Sequence, residues 1–334
     1  DVDSLLTVFV TGMTPEPQHA TDGYPTFTDW PSSWGSSTHQ LQYYRWIERD
    51  YMGGMRLLVM HATTNSVLCE FVSGIGAQPV RYACDDMVAV DREFAETFAL
   101  ERYIDAQHGG PGMGWFHVVQ TPAEARAGID EGHLAVILGI ETSNLFECLL
   151  TPRAGGPVCD EAYVRAQLDH YYDLGVRAIF PVHKFDNAFG AGDGDRNVGQ
   201  IGSWINSGHW SSLVEDCPDI DSVFDHGGIT FGGLNMPRDE FLAPAPHDMS
   251  GFAEAPLGPL SPFLSAISAP AIEGEFCQSH GLTPLGETLI REMMMRGIIL
   301  EIDHLPRRSA LRALEILEAA DYPAIGTHGN TFDG

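Results

Sequence analysis

Lysine is almost missing from this sequence of 334 residues: Lys184 is the only one. The chain has 18 basic residues against 46 acidic ones, which gives a formal net charge of −28. This imbalance argues against nucleic acid or an anionic membrane as a partner, because phosphate groups are bound by surfaces rich in Lys and Arg. Two interpretations of the charge stay open, namely solubility in a saline habitat and attraction of a cationic substrate.

Long apolar runs, glycosylation signals and paired-cysteine motifs are missing as well. No run reaches the roughly 18 apolar residues that indicate a membrane-spanning helix. The six cysteines include no Cys-x-x-Cys pair, which argues against a zinc knuckle or a thioredoxin-like site. Cys148 and Cys159 bracket a loop rich in Pro and Gly, so we expect either a disulfide in an oxidising compartment or two buried thiols.

The start of the chain shows no signal peptide, but it begins at Asp1 rather than at a methionine. We therefore expect a chain that was processed or cut from something longer. A secreted or periplasmic location is favoured over a cytoplasmic one, and the oligomeric state stays open.

Short apolar strands alternate with helical patterns along most of the chain. Strands are predicted at 55–61, 115–119, 134–140, 176–182, 298–303 and 323–327. Helices are predicted at 38–52, 85–107 and 306–320, and others start at Thr121-Pro122, near Asp160 and at Thr283-Pro284, where a capping residue or an early proline is typical of a first turn. Three of the strands follow a helix and a glycine: Gly132, Gly175 and Gly297.

This rhythm predicts an α/β fold, a (β/α)8 TIM barrel of the metal-dependent hydrolase type. Because a closed barrel needs eight strands, we expect one strand before residue 1 and one after residue 334. Residues 1–334 are predicted to form a single barrel domain. The irregular segment at about 184–280 is too long for an ordinary loop, so it is predicted to be an insertion over the barrel mouth.

Four of the predicted strands end on a residue that can bind a metal. Glu141 follows LAVILGI, His183 follows VRAIFPV, His304 follows IILEID and His328 follows PAIGT. The carboxyl ends of barrel strands meet on one face, and one Glu with three His is the ligand set of a hydrolytic zinc site. The pattern predicts Glu141, His304 and His328 as metal ligands and Glu141 and His183 as catalytic residues, with His183 either ligating the metal or contacting substrate.

The remaining histidines carry a weaker signal. His61 also ends a predicted strand, whereas His117 lies within one and is predicted to be structural. Four more lie in the insertion and are candidates to line the cleft: His209, His226, His247 and His280.

Four segments resemble the membrane (renal) dipeptidase family of zinc peptidases, which belongs to the metal-dependent amidohydrolase superfamily. They are HLAVILGIE (133–141), YYDLGVRAIFPVHKFDN (171–187), GLTPLGETLIREMMMRGIILEIDH (281–304) and YPAIGTHGN (322–330). The resemblance covers most of 115–183 and 281–330, and it suggests a divergent relative of bacterial type, truncated at both ends.

The resemblance implies a role for each of the four strand-end residues. Glu141 matches a carboxylate that bridges two zinc ions, and His304 and His328 match the two histidines of one of these metals. His183 matches a histidine that contacts the substrate and the developing tetrahedral oxygen. The implied reaction is hydrolysis of an amide bond by metal-activated water, with a dipeptide as the first expected substrate.

The chain also departs from the family pattern. It has no His-x-Asp or His-x-His pair for the other metal, and Asp303 stands where the family usually has Ser. The family's last-strand aspartate and its substrate-binding arginine would fall past Gly334. We therefore expect this chain to be inactive or weakly active. An esterase or lactonase on the same scaffold, and a non-catalytic binding barrel that has lost its first metal pair, stay open as alternatives.

Overall fold

The computed structural model describes residues 44–74, 82–150, 155–192 and 280–327, with a few isolated residues between these ranges. Its helices are α1 Tyr44–Met52, α2 Ser66–Gly74, α3 Asp86–Gln107, α4 Pro122–Asp130, α5 Glu161–Leu174, α6 Pro284–Arg296 and α7 Arg307–Ala319. Its strands are β1 Leu57–Thr64, β2 Phe116–Val118, β3 Leu134–Thr142, β4 Val176–Ile179, β5 Leu213–Val214, β6 Cys277–Gln278, β7 Ile299–Glu301 and β8 Ala324–Ile325.

Six of these strands form one sheet in the order β1-β3-β4-β7-β8, with β2 also paired to β3. The pairs β2–β3, β4–β7 and β7–β8 are parallel. The six sheet strands are the six that the sequence predicts, and helices alternate with them, which confirms the α/β fold. Closure of this sheet into an eight-stranded barrel stays a prediction.

The chain divides into two compact units, and the first comprises residues 1–60, 68–84 and 91–138. Its described core is an aromatic and aliphatic cluster from α1, α3, β2 and β3. The buried members are Tyr44, Ile47, Ile104, Trp115, Phe116, Leu134 and Val136. The strand pairing aligns Phe116 with Leu134 and Val118 with Val136, which places this cluster against the start of β3.

The second unit comprises residues 61–67, 85–90 and 139–334. In it, Ala178 of β4 aligns with Ile299 of β7, and Leu300 of β7 aligns with Ala324 of β8. Ile140, Ile179 and Leu300 are fully buried, because strands of a parallel sheet are covered on both faces. The carboxyl ends of β3, β4 and β7 all belong to this unit. A single-domain organisation stays a prediction.

The predicted helix starts are confirmed by their capping contacts. Thr121 Oγ1 accepts from the Glu124 amide while the Glu124 carboxylate accepts from the Thr121 amide, so the capping box is complete. Asp160 and Thr283 cap α5 and α6 with one bond each, since their side chains accept from the amides of Tyr163 and Gly286. Gly175 and Gly297 follow these helices at φ 107° and 67°, a left-handed conformation that glycine adopts without strain.

Two disulfides join described cysteines, Cys69–Cys84 and Cys148–Cys159. The second confirms the bridge predicted across the Pro- and Gly-rich loop. Cys277 is also disulfide-bonded, and the described part of the chain contains no free cysteine.

The predicted insertion at 184–280 lies largely outside the described residues. Its described part includes β5 and β6, which pair antiparallel with Leu213 opposite Gln278. None of the described helices combines the length and the apolar character that crossing a membrane requires.

Candidate functional site

Glu141, His183 and His304 converge at the carboxyl ends of β3, β4 and β7. We call these three residues the triad. The Nε2 atoms of His183 and His304 each lie 3.1 Å from Glu141 Oε1. The two imidazole rings meet edge to face, with centroids 4.5 Å apart. Glu141 is 4 % exposed and each histidine 9 %, so the cluster is nearly closed to water.

The donor atoms of the triad fit a single divalent ion. They all lie within 4.8 Å of one another, and within the described ranges no other group of three or more His, Cys, Asp or Glu residues meets this condition. Two atoms bound tetrahedrally to one zinc ion at about 2.0–2.1 Å lie about 3.3 Å apart, close to the observed nitrogen-to-oxygen distances. Imidazole nitrogen and carboxylate oxygen are also the ligand types that zinc prefers.

Burial favours the neutral form of His183. It lowers the pKa of this imidazole, against the opposing effect of the hydrogen bond to Glu141. A neutral imidazole has a free lone pair, which is the state that binds a metal. The other ring nitrogen, Nδ1, is buried without a hydrogen-bond partner.

The segment that follows Glu141 is fixed by a buried aspartate at the start of α3. Asp86 is fully buried, and its Oδ2 accepts from the Thr142 hydroxyl and, at 3.0 Å, from the Asn144 amide. Burial raises the pKa of Asp86, and these hydrogen bonds act against that rise. Because Thr142 directly follows Glu141, Asp86 holds the end of β3 in place.

The segment around His183 is tied to the same strand end. The Lys184 amide donates to Ser143 Oγ at 3.2 Å, and Asn187 Nδ2 donates to the carbonyls of Ser143 and Pro181 at 3.1 and 3.0 Å. Asn187 is fully buried, so these bonds are shielded from competing water. The end of β3, which carries Glu141, and the loop that carries His183 are therefore joined by hydrogen bonds.

Thr63, near the end of β1, contacts the second carboxylate oxygen of Glu141. Its hydroxyl donates to Glu141 Oε2 at 3.3 Å. The residue is exposed, in contrast to the triad. Among the described residues, two imidazoles therefore contact Oε1 of Glu141 and a hydroxyl contacts Oε2.

A second cluster of His, Glu and Thr also lies in this unit, and we call it the Glu301 cluster. Glu301 is fully buried; its Oε1 lies 3.1 Å from His61 Nε2, and its Oε2 accepts from the Thr327 hydroxyl at 3.0 Å. The His61 ring also lies 5.1 Å from the Phe180 ring, which in turn lies 5.3 Å from the His304 ring.

Gly139 makes room for the imidazole of this cluster. A Cβ atom at position 139 would lie 2.5 Å from His61 Cδ2 and 3.0 Å from His61 Nε2. Any side chain at this position would therefore collide with the ring.

The prediction that a strand ends at His61 is wrong. β1 continues to Thr64, because the residues that follow His61 are Ala and two β-branched threonines that extend a strand readily. His61 consequently lies within β1 and contacts Glu301 rather than the triad.

Other predicted positions are distributed as follows. His328, with His209, His226 and His247, lies outside the described residues. His117 is in β2 and its Nε2 lies 2.9 Å from the Gly114 carbonyl, in keeping with a structural role. His280 does not belong to the triad. The ligand and catalytic roles of Glu141, His183, His304 and His328 stay predictions.

Sequence reasoning missed Thr63, Asp86 and Glu301. A signal for Thr63 exists, since it stands two residues after His61 on one strand and therefore on the same face. Glu301 follows the apolar run IIL and precedes Ile302. A carboxylate within such a buried strand needs hydrogen-bond partners in the protein interior. Asp86 gives no such signal, because a carboxylate at the start of a helix is common in any protein.

No protein-family model matches the chain, and no curated protein does. Similar solved structures include an amidohydrolase from Pseudomonas aeruginosa, with 10 % identity, a TM-score of 0.38 and coverage of 83 % of this chain and 47 % of that one. A dipeptidase, a metallopeptidase of family M19, shows 14 % identity and a TM-score of 0.35, over 82 % of this chain and 49 % of that one.

A third similar structure is a metallopeptidase from Rhodobacter sphaeroides bound to a phosphinate mimic of the dipeptide L-Ala-D-Ala. It shows 16 % identity and a TM-score of 0.33, and the match covers 83 % of this chain and 44 % of that one. The chain thus spans about half the length of these structures. With TM-scores below 0.5, the likeness by itself establishes neither a shared barrel nor a shared activity.

Proposed function

We propose that this chain is a metal-dependent hydrolase whose metal, zinc in the first instance, is held by Glu141, His183 and His304. The observation that carries the proposal is the convergence of two imidazole nitrogens on one carboxylate oxygen, each at 3.1 Å. The three side chains stand at the carboxyl ends of sheet strands, where ligands bind in open α/β sheets and in β/α barrels. His328 is proposed as a further ligand on the strength of its position in the sequence.

When bound, a zinc ion lowers the pKa of a water molecule to about 7 and polarises a substrate carbonyl. The protein's own residues prepare the site for this chemistry. Burial keeps His183 neutral. Glu141 supplies the negative charge and orients both imidazoles, while Asp86 and Asn187 hold the end of β3 and the loop that carries His183.

The proposed substrate is a small molecule with an amide bond, and a dipeptide is the first candidate. The four sequence segments that resemble the dipeptidases support this choice, and they imply a second zinc ion bridged by Glu141. Hydrolysis of an ester or lactone is the nearest alternative, because a site of this kind polarises any carbonyl group. A metal-binding protein without turnover is the alternative from another functional class.

The test uses the purified chain, first stripped of metal with a chelator and then supplied with zinc. We expect zinc to bind, and we expect weak, zinc-dependent hydrolysis within a panel of dipeptides, esters and lactones, abolished in His304→Ala. Failure to bind zinc would contradict the proposal as a whole. Hydrolysis of esters or lactones alone would favour the first alternative, and tight zinc binding without turnover on any of them would favour the second.

We also propose a secreted or periplasmic location. The two described disulfides and the bonded state of Cys277 support it, since disulfides persist in oxidising compartments. Counting free thiols in chain isolated from its source under denaturing, non-reducing conditions tests this location. A full set of reactive thiols in that material would contradict it.

A further inference from the structure

A carboxylate lies inside a buried run shortly after the end of β3. Glu147 is half-buried, between the fully buried side chains of Phe146 and Cys148. Phe146 and Glu147 both have positive φ values, 57° and 56°, which residues other than glycine seldom adopt. Two such residues in succession persist only where surrounding contacts hold them. We call residues 144–148 the turn segment.

Contacts from the start of α3 hold the turn segment. The Phe146 amide donates to Met87 Sδ at 3.1 Å, and the Met87 amide donates to Glu147 Oε1 at 3.4 Å. The Asn144 amide donates to Asp86 Oδ2 at 3.0 Å. The side chain of Glu147 is therefore part of what fixes the turn segment to α3.

The titratable groups that face the Glu147 carboxyl are all acids. They are Asp85 and Asp86 at the start of α3 and Tyr163 of α5, whose hydroxyl donates to the Phe146 carbonyl at 3.2 Å. Burial raises the pKa of Glu147 to about 7, the charges of Asp85 and Asp86 and the hydrogen bond with Asp85 add to the rise, and the Met87 amide acts against it. Below this pH, Glu147 keeps a proton that it can donate to Asp85.

Ionisation of Glu147 places one more negative charge among these carboxylates, and like charges repel strongly in partly buried surroundings. Asp85 is held in place, because its Oδ1 accepts from the Val88 amide at 3.0 Å in the first turn of α3. Asp86 is fully buried, and its Oδ1 has no hydrogen-bond partner among the described residues that could offset the added charge. Glu147 is half-buried and held by a single long bond from Met87, so it is the group that moves.

We propose that Glu147 is a proton-controlled latch, which holds the turn segment on α3 while protonated and releases it on ionisation. Because Asn144 and Thr142 both donate to Oδ2 of Asp86, release of the turn segment also loosens the end of β3, next to Glu141. The latch operates in the metal-free chain and does not rest on the proposed function; only its effect on zinc affinity does.

Hydrogen exchange of the metal-free full chain tests the latch. The amides of Asn144, Glu147 and Cys148 report on it, since each donates a hydrogen bond within the turn segment or to α3. Wild type is compared with Glu147→Gln, whose amide resembles the protonated acid, at about pH 5 and about pH 8. We expect equal protection at the lower pH and about 10-fold weaker protection in wild type at the higher one, because the closed state binds the proton more tightly than the open state. Equal protection at both pH values would overturn the inference.

Two further variants separate the latch from a general effect of charge. Asp85→Asn removes the facing charge but keeps the helix cap, since Asn caps as well as Asp does. We expect it to reduce the wild-type loss of protection to about 3-fold, because burial still acts on Glu147. Glu161→Gln removes an exposed carboxylate of α5 and should keep the full loss. A full loss in Asp85→Asn, or no loss in Glu161→Gln, would contradict the latch.

Zinc affinity tests whether the latch reaches Glu141. We expect the ratio of zinc affinities, Glu147→Gln to wild type, to rise about 3- to 10-fold between about pH 5 and about pH 8, since loosened support of a ligand costs up to about 10- to 100-fold in affinity. A constant ratio would overturn the link from the turn segment to the end of β3. Failure of both proteins to bind zinc would contradict the proposed function instead, and the exchange experiment would still decide the latch.

Discussion

The triad and the Glu301 cluster are built from the same kinds of residue and differ in the number of imidazoles. In both, a Glu oxygen lies 3.1 Å from a histidine Nε2, and the other oxygen accepts from a threonine hydroxyl. The triad adds a second imidazole, that of His183, at the same oxygen. In both clusters the threonine is exposed and the carboxylate is buried.

This difference separates the candidate metal site from a cluster that stabilises the fold. Two imidazoles on one oxygen leave an arrangement that an ion completes. In the Glu301 cluster one imidazole and one hydroxyl contact a buried carboxylate, and these contacts join β1, β7 and the segment after β8. The comparison teaches that the convergence of two imidazoles on one carboxylate oxygen, rather than a buried Glu–His pair alone, marks the candidate metal site.

The largest expected effect is on metal binding. His304→Ala should lower zinc affinity by about 100-fold or more, and His328→Ala should also reduce bound zinc, because direct ligands outweigh outer partners. The matched variant His61→Ala should change zinc affinity by about 10-fold or less. Isothermal titration with zinc measures all three. A larger loss of affinity in His61→Ala than in His304→Ala would reverse the roles of the two clusters.

The next largest effect is on stability. Glu301→Leu should lower the free energy of unfolding by about 1–3 kcal/mol, because it removes the carboxylate that the nearly buried His61 imidazole contacts. Glu141→Gln should change the free energy of unfolding of the metal-free chain by less than about 1 kcal/mol, because residues at functional sites seldom optimise stability. Urea unfolding checks both variants. Equal losses would mean that the two carboxylates serve the same purpose.

Gly139→Ala probes the space that the Glu301 cluster occupies. Since the new Cβ would lie 2.5 Å from His61 Cδ2, we expect a loss of about 1–3 kcal/mol from overpacking. Gly128→Ala is the control: it lies in α4 with no atom near its Cβ, so it should gain about 0.5–1 kcal/mol. Thermal unfolding measures both. A neutral Gly139→Ala would show that His61 is not confined there.

A third carboxylate, Glu147, differs from Glu141 and Glu301 because its neighbours are acidic. Burial, together with Asp85 and Asp86, raises the pKa of Glu147 from 4.5 to about 7. The folded state therefore holds this proton more tightly than the unfolded state, so the free energy of unfolding falls as pH rises through about 4.5 to 7. Because the group is partly exposed, the loss should be on the order of 1 kcal/mol.

The variant Glu147→Gln isolates this effect, because its amide resembles the protonated acid. Between pH 5 and pH 8 we expect wild type to lose stability relative to Glu147→Gln, by urea unfolding at each pH. Parallel curves for the two proteins would show that Glu147 titrates normally.

Much of the fold could be predicted because its signals are local. Apolar runs of five to seven residues, each bounded by a helix pattern and several by a glycine, marked the strands of the main sheet. Helix starts followed from Thr121, Asp160 and Thr283, whose side chains cap within three residues. The helix α2 was missed, since SVLCEFVSG is short and contains two β-branched valines, which favour strands.

The site could be predicted only in part, because its supporting contacts are distant in sequence. Glu141, His183 and His304 were found from their shared position after strands. The partners Thr63 and Asp86 contact the end of β3 across 78 and 56 residues, and no local pattern records such a pairing. His61 was considered because it was predicted to end a strand. That position does not show that its ring contacts Glu301.

The central claim is that the triad, and not the Glu301 cluster, holds the metal. Crystals of the zinc-loaded chain, measured with X-rays just above the zinc absorption edge, test it directly through anomalous difference density. We expect a peak about 2.0–2.2 Å from Glu141 Oε1 and from the Nε2 atoms of His183 and His304. A peak beside His61 and Glu301, or no peak at the triad in zinc-saturated crystals, would contradict the claim.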